Sequence, residues 1–148
     1  MSEHPATIRW QRTSDDFDYD KFNRDHEWDF GHGVRVPASS AADYFGTAER
    51  VDPEQAFVAA LSSCHKLTFL ALAAKRRFVV EAYDDEAVGY LEKNDDGRMA
   101  MTRVRLRPRV RFDAAAEPTA AELAQLHEKA HKYCIISNSV TTRVDIEL

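Results

Sequence analysis

One long apolar segment with a strong helix start in front of it constrains the fold most. Residues 52–55 (DPEQ) offer an N-cap aspartate, a proline at the first helical position, an acid in the first turn and a capping glutamine. Residues 56–74 are apolar on nearly every side, and basic residues 75–77 suit a helix C-terminus. We expect a helix that is central to the core or shared with a second chain.

The same segment is not expected to span a membrane. Polar residues 62–66 (SSCHK) interrupt it, and its unbroken apolar length is modest for a bilayer. Residues 1–5 (MSEHP) lack the basic and apolar blocks of a signal peptide. These features predict a cytoplasmic protein with no membrane partner.

The rest of the chain predicts strands and one further helix. Residues 31–33 (GHG) and 94–97 (NDDG) are reversal signals, and a capping box at 119–122 starts a helix that runs to about Cys134. Residues 38–51 are expected to form a loop. Alternating or β-prone strands are expected at residues 6–10, 22–30, 34–36, 79–91, 99–112 and 143–148.

This order of elements predicts an α+β protein. Its sheets are expected to be mainly antiparallel and wrapped around central apolar helices. At 148 residues, with 44% hydrophobic and 30% charged residues, the chain fits a single domain over residues 1–148.

The charge distribution disfavours nucleic acid as a partner, since the formal net charge is -5. From residue 103 to 111, however, every second residue is arginine, which places all five on one strand face. The simpler interpretation is a solvated face whose charge is balanced by the acidic run at 84–96. The alternative is a strip that binds an anion or a partner.

The chain has only two cysteines, Cys64 and Cys134. Two thiols cannot form the four-thiolate zinc site of a cytosolic protein, so they are inert core thiols or a reactive pair. His65 and Lys66 could supply positive potential to Cys64, but sequence neighbours on a helix point about 100° apart. A cation that stabilises the thiolate is therefore expected elsewhere in the chain.

Residues 52–57 (DPEQAF) and 60–65 (ALSSCH) resemble the helix motif of the OsmC/Ohr family, the osmotically induced and organic-hydroperoxide-resistance proteins. Residues 23–26 (NRDH) resemble the early strand that carries the catalytic arginine in the Ohr branch. Residues 133–138 (YCIISN) resemble the second cysteine motif. The resemblance covers most of the chain, although isoleucine stands after Cys134 where members usually have proline.

The resemblance implies an OsmC-like fold and a Cys-based peroxidase active against organic hydroperoxides in oxidative stress. Cys64 would attack the peroxide, and Cys134 would resolve the sulfenic acid into a redox-active disulfide. Arg24 would stabilise the thiolate and Glu54 would orient Arg24, roles that suit a guanidinium and a carboxylate. No metal or organic cofactor is implied, and the reductant would be an external dithiol, lipoyl or thioredoxin-like.

Two of these assignments have rivals in the sequence. Glu54 is also favoured as a first-turn acid, and Arg35 competes with Arg24. Ten residues of helix separate Glu54 from Cys64, about 15 Å along the axis, which excludes direct contact on one straight helix. A long reach by the arginine, a helix break or a second chain would be needed. We expect an intertwined homodimer with its active site at the interface.

Three other classes of function compete with the peroxidase. His127, His131 and Cys134 have a spacing that could share a metal, although two exposed histidines on a polar helix face are the simpler interpretation. A cysteine-histidine hydrolase is disfavoured, because a nucleophile cannot easily align with a base beside it on one helix. A non-catalytic protein that binds a small apolar ligand is the main alternative.

Overall fold

The computed structural model describes residues 1–148, which form two compact units, Met1–Ala56 and Phe57–Leu148. Helices and mainly antiparallel sheets occur together, so the predicted α+β class is confirmed. The helices are α1 (Pro53–Lys75) and α2 (Ala120–Tyr133), and short 3₁₀ turns occur at Ala42–Tyr44 and Ser137–Ser139. The strands are β1 (Thr7–Arg9), β2 (His26–Asp29), β3 (Arg35–Ala38), β4 (Val80–Asp85), β5 (Val88–Lys93), β6 (Met99–Leu106), β7 (Pro108–Phe112) and β8 (Arg143–Ile146).

In the N-terminal unit, β1, β2 and β3 form an antiparallel sheet in that order. The predicted glycine turn joins β2 to β3: Gly31 and Gly33 have φ angles of 80° and 79°, a region that glycine enters without steric cost. His32 between them also has a positive φ of 52°. The predicted hairpin is therefore confirmed, with β2 shorter than the expected 22–30 and β3 shifted to Arg35–Ala38 from the expected 34–36.

Helix α1 begins where its cap predicts. The Asp52 carboxylate accepts a hydrogen bond from the Gln55 amide at 2.7 Å, and the Asp52 amide donates to the Gln55 side chain at 3.2 Å. The helix then runs unbroken for 23 residues. By length and composition alone it could cross a membrane, a test that the core helix of a soluble protein also passes. The length of α1 therefore does not exclude a membrane span, although its apolar length was expected to be too short for one.

Only one face of α1 is buried within the chain, at Leu61, His65, Phe69 and Ala73, each four residues after the last. Towards its C-terminus this face packs on Leu126 and Ala130 of α2, and Leu61 packs on Val104 and Leu106 of β6. The Phe57–Leu148 unit therefore has two hydrophobic clusters, both organised by α1.

The two long strands expected at 79–91 and 99–112 are instead four. In the structure β5 pairs with β6 and β4 pairs with β7, as the two halves of one bent hairpin. At the bend the Arg107 amide donates to the Asp85 carboxylate at 2.7 Å instead of continuing the ladder. Pro108 follows and has no amide hydrogen to donate. The expectation of continuous strands was wrong because these interactions interrupt the pairing.

Helix α2 and β8 complete the fold. The Thr119–Glu122 capping box is present, with the Thr119 amide donating to the Glu122 carboxylate at 2.9 Å. Strand β8 lies beside β6 and runs parallel to it, the one parallel pair among otherwise antiparallel sheets.

The arginine strip alternates with buried residues, since Val104, Leu106 and Pro108 are buried between the arginines. It does not form the expected face of one strand, because its first arginines lie on β6 and its last on β7. The acidic partners of the arginines are not the expected run at residues 84–96, because only Glu92 lies within that run. The ion pairs are Arg103–Glu92 at 3.5 Å, Arg105–Glu147 at 3.4 Å, Arg107–Glu147 at 3.2 Å and Arg111–Glu81. Paired, partly exposed arginines of this kind form a solvated face.

Candidate functional site

The two cysteines are neighbours in the structure. Cys64 lies half-buried in the middle of α1, and Cys134 is the buried residue that ends α2. Both are free thiols, and the Cys64 side chain is a hydrogen-bonding neighbour of the Cys134 thiol. The packing of α1 against α2 thus places together two sulfurs about 70 positions apart in the chain.

The environment of Cys134 keeps its thiol protonated. Burial is the main cause that raises its pKa to about 11, and the hydrogen bond with Cys64 acts in the same direction. The Ser137 amide donates to the sulfur at 3.4 Å and lowers the pKa in part. At neutral pH Cys134 is therefore a protected thiol that suits a second, resolving step better than a first attack.

Cys64 opens onto an apolar groove of about 530 Å³. The side chain of Leu67 in this groove is 60% exposed and that of Ile135 is 74% exposed, so the apolar surface beside Cys64 is open to solvent. The groove can accept an apolar ligand tail or the apolar surface of another chain. Its lining residues are Ala60, Ser63, Cys64, Leu67, Thr68, Ala71 and Ile135.

His65, the residue after Cys64, forms a buried pair with His127 that the sequence did not indicate. His65 Nε2 is 3.0 Å from His127 Nδ1, and the two rings are stacked with 4° between their planes. Burial lowers the pKa of each imidazole to about 4. Both are neutral at pH 7, so His65 supplies no positive charge to the Cys64 thiolate. The spacing of Leu61, His65 and Phe69 could have placed His65 on the buried face.

The expected position of His127 on an exposed face of α2 was wrong. It is 2% exposed and packs against Phe69, with 4.3 Å between the ring centroids. No three histidine, cysteine, aspartate or glutamate side chains lie where they could hold one metal ion. The metal alternative at His127, His131 and Cys134 therefore gains no support.

In the N-terminal unit, Arg24 is held by aromatic rings and backbone carbonyls. Its guanidinium lies 3.7 Å from the centroid of the Phe22 ring, with Tyr19 and Phe45 also nearby. It donates to the Phe22 carbonyl at 2.7 Å and to the Tyr19 carbonyl. None of these contacts is a carboxylate, so the positive charge of Arg24 is not neutralised by an ion pair.

The other two predicted polar residues of this unit differ from Arg24. Arg35 pairs with Glu27 at 3.3 Å and with Asp29 at 3.8 Å, so its charge is balanced within the hairpin. Glu54 lies half-buried in the first turn of α1 and makes no hydrogen bond or ion pair with Arg24. The structure thus brings Cys64 and Cys134 together but does not join Arg24 to Glu54.

The chain matches a known protein family. Residues 46–148 match the family model described as OsmC-like protein, and the chain belongs to that family. The predicted resemblance to OsmC and Ohr proteins is therefore confirmed. No curated protein sequence matches the chain.

Solved structures carry the same fold over the whole chain. An OsmC-like protein of unknown function from Vibrio cholerae is 45% identical, with a TM-score of 0.95 and 99% of each chain covered. The organic hydroperoxide resistance protein OsmC of Legionella pneumophila is 17% identical, with a TM-score of 0.70 over 100% of this chain and 97% of that one. OhrB of Bacillus subtilis, also an organic hydroperoxide resistance protein, is 20% identical, with a TM-score of 0.65 over 97% and 96%. At these lower identities the likeness concerns the fold.

Proposed function

We propose that this protein is a cytoplasmic, thiol-dependent peroxidase that reduces organic hydroperoxides. The observation that carries the proposal is the pairing of a half-buried Cys64 on an apolar groove with a buried, free Cys134 beside it. Two structural neighbours from the same family are organic hydroperoxide resistance proteins, which supports this class of substrate.

The chemistry proceeds in two steps. The Cys64 thiolate attacks the peroxide oxygen, the O–O bond breaks, and the substrate leaves as an alcohol while Cys64 becomes a sulfenic acid. Cys134 then attacks that sulfur, the S–O bond breaks, and water leaves as the disulfide forms. An external dithiol, lipoyl or thioredoxin-like, must reduce the disulfide again by thiol exchange.

The groove supports a preference for bulky or apolar peroxides. Ala60, Leu67, Ala71 and Ile135 provide the apolar lining around the Cys64 sulfur. An apolar tail placed there leaves water and brings its peroxide group to the thiol. Hydrogen peroxide, which has no tail, gains nothing from this surface.

Arg24 is proposed as the cation that stabilises the thiolate and the peroxide oxygens. Its guanidinium is permanently charged, and its contacts are rings and carbonyls instead of an acid. It therefore keeps a positive charge that can favour an anion. Glu54 is proposed to orient Arg24 in the reacting enzyme, a role that requires a contact beyond those seen in the single chain.

A homodimer is proposed as the working form. Helix α1 keeps an apolar face with Leu67 exposed along the groove, and Ile135, which follows α2, adds to the exposed apolar surface. A second copy would remove part of this apolar surface from water and leave the part beside Cys64 for the substrate tail. A dimer also supplies the second chain that an arginine and glutamate acting together at Cys64 could use.

The same groove favours one alternative, a non-catalytic protein that binds a small apolar ligand. The intact mass of the reduced protein after one equivalent of cumene hydroperoxide separates the two functions. A peroxidase loses two hydrogens, and neither Cys64→Ser nor Cys134→Ser does so. An unchanged wild-type mass would overturn the peroxidase proposal and leave ligand binding as the function.

A further inference from the structure

Two ring nitrogens bind consecutive backbone carbonyls at Arg24. The Trp10 indole donates from Nε1 to the Asn23 carbonyl at 2.7 Å, and His26 Nδ1 lies 2.7 Å from the Arg24 carbonyl oxygen. The Arg24 guanidinium in turn donates to the Phe22 carbonyl at 2.7 Å. The main chain is therefore held on both sides of the Arg24 Cα atom, while the side chain folds back over the segment that precedes it.

The contacts of His26 define which of its ring nitrogens carries the proton. The Trp28 indole donates from Nε1 to His26 Nε2 at 2.9 Å, and an indole N–H can only donate. His26 Nε2 is therefore the unprotonated nitrogen. The Arg24 carbonyl can only accept, so the proton on His26 Nδ1 points to it. Trp28 thus holds His26 in the tautomer that donates to the backbone of Arg24.

Regular sheet structure fixes the two rings. His26 and Trp28 lie two residues apart on β2, so they share one face of the strand. Their ring centroids are 6.1 Å apart, and both residues are partly buried. Strand β3 pairs with them in register, with Ala38 opposite His26 and Val36 opposite Trp28. Arg24, in contrast, precedes the strand, where no strand pairing holds its backbone.

The proposed role of Arg24 requires a guanidinium with a defined direction. An arginine on a free segment loses backbone and rotamer freedom when it binds an anion, and this entropy opposes the contact. Groups that are ordered beforehand avoid that cost, which is why preorganised donors stabilise developing charge well. The guanidinium contacts rings and carbonyls of its own segment, so its direction depends on how the backbone at Arg24 is held.

We infer that His26 is a positioning residue of the proposed peroxidase, because its Nδ1–H bond to the Arg24 carbonyl fixes the direction in which the guanidinium meets the Cys64 thiolate. Trp28 acts one step further away, by keeping the proton of His26 on Nδ1. Neither ring touches the reacting sulfur or exchanges a proton with it. The inference rests on the proposed function, in which Arg24 is the cation at Cys64.

A single-turnover reaction of the reduced, full-length protein with one equivalent of cumene hydroperoxide tests this role. The rate at which the hydroperoxide disappears measures the attack by Cys64. His26→Leu loses the N–H donor and should slow this step about 10- to 100-fold. His26→Asn keeps an N–H near the position of Nδ1 and should recover most of the wild-type rate. A side chain that only supported the fold would gain nothing from that amide.

Glu27→Gln is the matched control, because Glu27 lies between the two rings on β2, faces the other side of the strand and pairs with Arg35. It should react at the wild-type rate, whereas Arg24→Gln should be slow. If Arg24→Gln is slow, a normal rate in His26→Leu, or equal slowing in His26→Asn, would overturn the inference alone. A normal rate in Arg24→Gln would overturn the proposed role of Arg24 and the inference with it. A wild-type protein that consumes no hydroperoxide would overturn the proposed function.

A second measurement examines the ring independently of the reaction. In ¹⁵N NMR spectra of the labelled protein, His26 Nδ1 should be protonated and Nε2 unprotonated, and the His26→Asn spectrum identifies these signals. Trp28→Phe keeps an aromatic ring but removes the indole N–H, so the proton should divide between both nitrogens and the rate of hydroperoxide loss should fall. A proton on His26 Nε2 in the wild-type protein would overturn the inference whatever the peroxidase activity.

Discussion

His65 Nε2 and His127 Nδ1 share one hydrogen bond of 3.0 Å between parallel, buried rings. The outer nitrogens, His65 Nδ1 and His127 Nε2, have no hydrogen-bond partner, and neither has the nearby buried Tyr83 hydroxyl. The shared bond therefore satisfies one donor and one acceptor of the pair and leaves the outer nitrogen of each ring unpaired. A further proton would create a buried charge that no ion pair compensates.

This arrangement predicts that acid destabilises the protein. The folded-state pKa of each histidine lies near 4, below the unfolded value of 6.5, so the pair contributes fully above about pH 6.5 and its contribution is lost as the pH falls towards 4. Between pH 7 and pH 5 the free energy of unfolding should fall by roughly 2 kcal/mol for one imidazole. Urea unfolding at both pH values measures the difference.

The matched comparison is the double variant His65→Gln/His127→Asn, which keeps polar atoms near the two bonded nitrogens but does not titrate. Its stability should change less between pH 7 and pH 5 than that of wild type. His4→Asn, at an exposed position, should keep the wild-type dependence. Equal pH dependence in wild type and the double variant would contradict this role of the pair.

The two thiols should differ in their rate of alkylation. With a pKa of about 11, Cys134 is about 0.1% thiolate at pH 8, against tens of per cent for an ordinary cysteine. Iodoacetamide should therefore modify Cys64 first, and Cys134 should react about 100-fold more slowly than in the urea-unfolded chain. Peptide mass spectrometry gives both rates. Equal rates for Cys134 in the folded and unfolded protein would show that its thiol is not protected.

The cap of α1 should contribute measurably to stability. Asp52→Ala removes the acceptor that binds the Gln55 amide at 2.7 Å, so the free energy of unfolding should fall by about 1 kcal/mol. Asp52→Asn keeps an acceptor and should lose much less. Chemical denaturation compares the two, with Asp15→Ala at an exposed loop position as the control. A loss from Asp15→Ala as large as that from Asp52→Ala would argue against the cap.

Gly89 should not tolerate a side chain, because α1 approaches β5 closely at this point. A Cβ atom on Gly89 would lie 2.3 Å from Met101 Cε and 2.5 Å from Val58 Cγ2. The methionine tip can move, but the β-branched valine is stiff. Gly89→Ala should destabilise the protein by about 1–3 kcal/mol, and adding Val58→Ala should cost less than the sum of the two single changes. Additive losses in thermal unfolding would show that Val58 is not the obstacle.

The proposed dimer predicts that a charge in the groove beside Cys64 prevents two copies from associating. Leu67→Glu places a charge on that face and should convert dimers to monomers in sedimentation experiments. Val79→Glu, at another exposed apolar residue outside the groove, should leave the dimer intact. A wild-type protein that sediments as a monomer, or a Leu67→Glu variant that stays dimeric, would contradict an interface on this face.

Local signals explain which parts of the fold could be predicted. Both helix starts depend on caps within four residues, and the β2–β3 turn depends on two glycines. The bend at Arg107 depends on Asp85, which also accepts a hydrogen bond from Ser62 on α1, far away in sequence. Such tertiary contacts leave no periodic pattern, so the long strands were expected to be continuous.

The candidate site was predictable to a similar extent. The cysteine pair came from family resemblance and stands together in the structure, whereas no residue pattern pairs His65 with His127 across 62 positions. His127 was expected on an exposed polar face of α2, but its burial depends on the packing of α2 against α1. The contact of His131 with Ser137 depends on how the chain turns after α2, which composition does not fix.

The position of the two thiols on separate helices links redox state to folding. A bond between Cys64 and Cys134 would close a loop of about 70 residues, and in the unfolded chain such a constraint costs roughly 4 kcal/mol of entropy. Oxidation and folding then belong to one thermodynamic cycle. The free energy by which the disulfide stabilises the fold equals the free energy by which the fold stabilises the disulfide against reduction. The cellular reductant must therefore supply more free energy to reduce the disulfide in the folded protein than in the unfolded chain.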